Sequence, residues 1–282
     1  MEIDIITELN KLNLIDYPTE EITKILNSIG PMALMTTDYR PPKVIERAVN
    51  NTKEEPEFNT TSRISYKPAK FNTEFQRAST PNNTMFYGAV LSEKMSDEEI
   101  TNARIIGACE VTELIRNREL KNGESDITFG KWIVRDKISL ATIFDPSLDY
   151  KIDYINEIKE NYLLNLNSAP KDIKEKSLRY LKFLATEFSK PVKKGENHEY
   201  LISAILTEIL VNTGFDGVLY PSVQTSGMGL CVAIHPRLMD KLSLFRAIQC
   251  KIIKTDGDIK ITNEKVCEIE LDATEFKLNL IK

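Results

Sequence analysis

Histidine is nearly missing from this chain: His198 and His235 are the only two in 282 residues. A multi-histidine metal centre or an H-E-x-x-H zinc site therefore cannot be assembled. The four cysteines (Cys109, Cys231, Cys250 and Cys267) form no C-x-x-C pair. That spacing shows no structural zinc site, and so few cysteines in a chain this long argue against a disulfide framework. No run approaches the roughly 18 apolar residues of a membrane span. The N-terminal MEIDIITELNK is acidic and lacks the apolar stretch of a signal peptide, so cytoplasmic residence is the expectation. Excess positive charge is also lacking. A net charge of -5 and a pI near 5.4 argue against a nucleic-acid binder that works by neutralising phosphates. There is no phosphate-binding P-loop and no G-x-S-x-G around Ser222, and the G-x-G at 227–229 lacks the rest of a dinucleotide fingerprint.

What is present reads as an ordinary globular chain, 41% hydrophobic and 28% charged. Apolar residues at helical spacing (Ile3, Ile6, Leu9, Leu12, then Ile22, Ile25, Leu26) predict a helical extension over residues 1–38. The pair Pro41-Pro42 then marks the boundary region, and residues 39–282 form the main domain. PKVIERAVNN reads as a short strand carrying Arg47, a loop fills 51–62, and SRISYKP reads as a further extended piece. SDEEITNA fits either a helix start capped by Ser96 or a solvated loop. ARIIGACEVTEL (103–114) reads as an apolar strand with Glu110 in its middle. Residues 151–189 form a helical pair inserted in the domain, and HEYLISAILTEILVNTG a buried helix ending at Gly214. Strands follow at FDGVLYPSV, LCVAIHP, LFRAIQCKIIK, DIKITN and VCEIEL. Trp132 is expected in the core.

The most informative stretch is FQRASTPNNTMFYGA (75–89), read as strand, polar turn, strand. It sets Arg77 on one strand and Tyr87 on its hairpin partner. A cation beside an aromatic face suits a ligand with anionic and flat aromatic parts. Glu110 adds a carboxylate that is costly to bury without a partner, with Glu113 as its rival, and Ser222 follows a buried strand.

Taken together, an arginine, QRASTPNNTMFYGA, a glutamate and the late GFDGVLYPSV resemble the RES domain family, over roughly residues 41–240. The resemblance implies an α+β, ADP-ribosyltransferase-like split antiparallel β-sheet core with packed helices. It also implies an enzyme that consumes NAD as substrate, to which composition and charge add the expectation of no metal, no nucleic acid and no membrane. Many members are toxins of toxin–antitoxin pairs, so a cognate antitoxin protein is an implied partner. Carried over by position, the family's residues fall on Arg47 (or Arg63), Arg77, Tyr87, Glu110 (or Glu113) and Ser222. Arg77, Glu110 and Tyr87 would be catalytic, and Arg47, Arg77, Tyr87 and Ser222 would hold NAD. Two departures stand out: a longer stretch between Tyr87 and Glu110, and Cys231 where the family often has asparagine.

Overall fold

The computed structural model describes residues 4–91, 104, 107–108, 111–117, 119–222 and 229–281. Two short amphipathic helices, α1 (Ile5–Lys11) and α2 (Thr19–Asn27), open the chain as their periodicity predicts. Their buried faces join the main core rather than a separate one, Leu9 and Ile22 clustering with Leu206 and Leu210. The extension does not remain helical to its end, because β1 (Met35–Tyr39) is already an edge strand.

The remaining strands are β2 (Val44–Asn50), β3 (Phe86–Leu91), β4 (Gly123–Val134), β5 (Ile138–Thr142), β6 (Gly217–Pro221), β7 (Leu230–Ile234), β8 (Leu242–Thr255), β9 (Asp258–Glu268) and β10 (Asn279–Leu280). They hydrogen-bond in the order β1-β5-β6-β7-β3-β2-β4-β8-β9-β10. Every pairing is antiparallel except β5 with β6. The protein is therefore mixed α+β, built on one ten-stranded, mostly antiparallel sheet.

The helical pair is α4 (Asp153–Leu166) and α5 (Lys171–Ser189), preceded in the chain by the four-residue α3 (Glu113–Arg116). The buried helix is α6 (Leu201–Asn212), hidden on most of its circumference. Its two buried hydroxyls are satisfied within the helix, Ser203 donating to the Tyr200 carbonyl and Thr207 to the Ser203 carbonyl. Gly214 follows at φ +111°, a left-handed termination that glycine adopts without a Cβ penalty.

Three expectations are corrected. The described residues of 103–114 are not in a strand: Arg104, Gly107, Ala108 and Val111 are helical, and α3 follows. Residues 62–68 are not an extended strand either, since Thr61–Ile64 form a 3-10 turn. The sequences DIKITN and VCEIEL belong largely to one strand, β9, which runs through to Glu268.

Candidate functional site

The opening of the site follows from where one ladder stops. Strand β2 pairs with β4 along its whole length, Val44 to Asn50. With β3 it pairs over only three residues: Val44↔Leu91, Ile45↔Val90 and Glu46↔Ala89. On its other edge β3 pairs with β7, from Phe86↔Ile234 to Ala89↔Cys231, so Phe86 to Gly88 keep that ladder alone. Arg47 takes over where the backbone pairing ends, its Nη1 donating to the Tyr87 carbonyl at 2.8 Å. A cavity of about 360 Å³ lies here, walled by β2 and β3 residues.

Its floor is a single cross-strand row. Glu46 (β2), Ala89 (β3), Cys231 (β7) and Tyr220 (β6) are successive register partners, so their side chains share one face of the sheet. All four line the cavity. The two small central residues, Ala89 and Cys231, leave the hollow between a carboxylate and a tyrosine. Arg77, Tyr200, Gly107 and Val111 close it from the other sides. Gly88 keeps β2 and β3 close at the junction, where a Cβ would stand 2.4 Å from Ile45 Cγ2.

Residues 75–83 form two successive tight turns, with bridges Gln76↔Ser79 and Thr80↔Asn83, rather than a strand. Arg77 is thus a turn residue, which corrects its expected place on a hairpin strand. Asn82 takes φ +62°, a left-handed conformation that asparagine tolerates. The turns are pinned from several sides. The Tyr87 hydroxyl accepts from the Ala78 amide at 3.1 Å and shares a 2.7 Å hydrogen bond with Ser79 Oγ. Thr80 Oγ1 donates to Glu208 of α6 at 2.8 Å, and Asn72 Nδ2 to the Thr80 carbonyl at 2.7 Å. Burial pushes the Tyr87 phenol up to about 12, so it stays a neutral donor.

Neither arginine of the cavity has a carboxylate ion partner among the described residues. Arg77 donates Nη1 to the Phe188 carbonyl and Nη2 to the Lys190 carbonyl at 3.0 Å, a cation at the negative end of α5. Its guanidinium lies 5.2 Å from the Tyr200 ring centre. Arg47 sits 5.4 Å from the Phe86 ring centre, and its Nε has no hydrogen-bond partner among the described residues. Burial lowers its pKa to about 10, with Tyr87 pulling the other way, which still leaves it charged at neutral pH. A guanidinium carries five N–H donors. Among the described residues Arg47 uses one of these and Arg77 two, which leaves each with donors to offer an anion.

The remaining expected residues fall elsewhere. Arg63 is paired with Glu55 through both Nε and Nη2 and stacks on Phe58, away from the cavity. Glu113 is exposed at the start of α3 and does not line the cavity. Glu110 lies outside the described residues. Ser222 is buried, its Oγ without a hydrogen bond among the described residues, but it lines a neighbouring cavity of about 430 Å³ with Pro221, Phe188 and Ser189. The Phe188 and Tyr220 rings, 5.3 Å apart, stand between the two cavities.

Sequence reasoning passed over Glu46. It is 2% exposed, neither carboxylate oxygen accepts a hydrogen bond among the described residues, and Arg104 Nε approaches only to 3.5 Å. Burial raises its pKa, with Arg104 and Lys131 pulling the other way. Tyr200 was also missed. Among the described residues no cluster of three or more His, Cys, Asp or Glu could hold a metal, and no helix is long and apolar enough to cross a membrane. Compared with known proteins, the chain matches no family model and no curated protein.

Proposed function

We propose that this cavity binds NAD and that the protein cleaves the nicotinamide–ribose bond, as a RES-type toxin on an ADP-ribosyltransferase-like fold would. The observation that carries the reading is the pairing of two guanidiniums, Arg47 and Arg77, with no acid partner among the described residues, in one tyrosine-walled cavity. Cations placed this way attract a bidentate anion such as a pyrophosphate. The Tyr87 ring, anchored at its hydroxyl, offers a flat face to the nicotinamide.

The chemistry asks little of the protein beyond positioning and charge. Breaking the bond between C1′ and the pyridinium nitrogen passes through an oxocarbenium-like centre, and the nicotinamide leaves neutral without a proton donor. A carboxylate beside C1′ stabilises the developing charge, and Glu110 is the residue the resemblance assigns to it. Water or phosphate then adds to C1′. The scarcity of histidine is no obstacle to this route.

The test is chromatographic: NAD is incubated with the purified chain, with and without phosphate, and nicotinamide is quantified. Release of one nicotinamide per NAD lost supports the reading, and a phosphate requirement names the reaction as phosphorolysis. Release that appears only with a protein acceptor carrying ADP-ribose points to a protein ADP-ribosyltransferase. A second reading, a nucleotide-binding module without turnover, draws on the Arg77 donors already given to the α5 carbonyls. Tight NAD binding with no nicotinamide release selects it.

A further inference from the structure

We infer that Glu46 is a ligand-contacting carboxylate of this cavity, one that accepts hydrogen bonds from the vicinal hydroxyls of a bound ribose. The inference rests on the nucleotide reading above and adds a residue to it.

Three observations converge on Glu46. Its register places its side chain on the cavity floor: it pairs with Ala89, which pairs with Cys231, which pairs with Tyr220, and all four line the cavity. It is buried to 2% exposure, yet both oxygens lack a hydrogen bond among the described residues. Carboxylates that serve only the fold satisfy those oxygens, because an unpaired buried charge is heavily penalised.

Arg104 does not fill that role. Its Nη1 donates to Asn263 Oδ1 at 3.0 Å, its guanidinium lies over the Phe129 ring, and its Nε stays at 3.5 Å from Glu46 without a hydrogen bond. Arg104 ion-pairs with Oε1 at this longer distance, which keeps an anion tolerable there, and no closer donor meets either oxygen among the described residues. A carboxylate with two open acceptor oxygens matches a pair of adjacent hydroxyls, each with one proton to give. Ala89 and Cys231 provide the space beside it, and Arg47, the next residue on β2, stands ready for the phosphate that a ribose carries.

The experiment measures binding of NAD, and of an NAD analogue lacking the nicotinamide-ribose hydroxyls, to wild type, Glu46→Gln and Glu46→Leu. Thermal unfolding of each variant checks the fold. Wild type is expected to prefer NAD over the deoxy analogue by roughly tenfold to a hundredfold, the worth of a charged hydrogen bond. Glu46→Leu loses that preference and Glu46→Gln retains part of it, while affinity for the deoxy analogue changes little. If wild type binds NAD and Glu46→Leu discriminates as wild type does, the carboxylate assignment falls and the nucleotide reading stands. If folded wild type binds neither ligand, the nucleotide reading falls and takes this assignment with it. Should both variants unfold while Arg104→Gln unfolds equally, Glu46 is a structural partner of Arg104 and the assignment is overturned.

Discussion

Arg47 and Tyr87 lie on strands whose pairing ends one residue earlier, at Glu46↔Ala89, and the Arg47 guanidinium continues the connection by donating to the Tyr87 carbonyl at 2.8 Å. A side chain thus does what a backbone amide does elsewhere in the ladder. The gap it spans is the cavity, so the feature that interrupts the sheet also places a charged fork inside it.

Replacing Arg47 by methionine separates binding from stability. The substitution removes a buried cation with an unpartnered Nε, but it also leaves the Tyr87 carbonyl without its donor. These effects oppose each other, and the expected change in unfolding free energy is within about 1 kcal/mol. Affinity for a pyrophosphate ligand falls by roughly tenfold or more, because a charge-assisted fork is lost. Denaturant unfolding and calorimetric titration on the same samples check both halves.

Arg77→Ala behaves differently. Its two donors hold the Phe188 and Lys190 carbonyls at the end of α5, so its loss uncaps a helix that packs against the sheet. Both stability and ligand affinity are expected to drop, stability by about 3 kcal/mol. Hydrogen exchange at the last turn of α5 rises first.

Gly88→Ala tests the junction itself. The new methyl would stand 2.4 Å from Ile45 Cγ2 and 3.2 Å from the Glu46 carbonyl, where the β2–β3 ladder ends. The strands must separate or Ile45 must leave its rotamer, at a cost of about 1–3 kcal/mol. Thermal unfolding reports the loss.

The pH dependence of Glu46→Gln has a definite sign. Burial raises the folded-state pKa of Glu46 above its ordinary value, so the folded protein binds the proton more tightly than the unfolded chain. That contribution favours the fold at low pH and is lost as pH rises through the folded pKa. Glutamine does not titrate. The variant is therefore expected to gain stability over wild type at neutral pH, with the gain shrinking toward roughly pH 4. Urea unfolding at both pH values checks this, and an equal effect at both contradicts it.

The helices were legible in the sequence because their apolar residues recur at three and four, as in α2 and α5, or surround the whole helix, as in α6. Strands β2, β3, β6 and β7 were legible as short β-branched and aromatic runs. The 103–114 segment misled because a short apolar run fits either period, although Arg104, Ala108 and Val111 are spaced by four and three. Arg77 was seen but misplaced, since the first of two consecutive turns carries none of the proline and asparagine signals of the second. Glu46 was invisible for a different reason. On a strand read in isolation, a lone glutamate is taken to point to solvent, and only the four-strand register places it on a cavity floor.

The most direct measurement is a calorimetric titration of NAD into the full chain, wild type against Arg47→Met. Saturable one-to-one binding to wild type, weakened at least about tenfold in a folded Arg47→Met, is the result this account predicts. No binding to a folded wild type, or equal binding to both proteins, contradicts it.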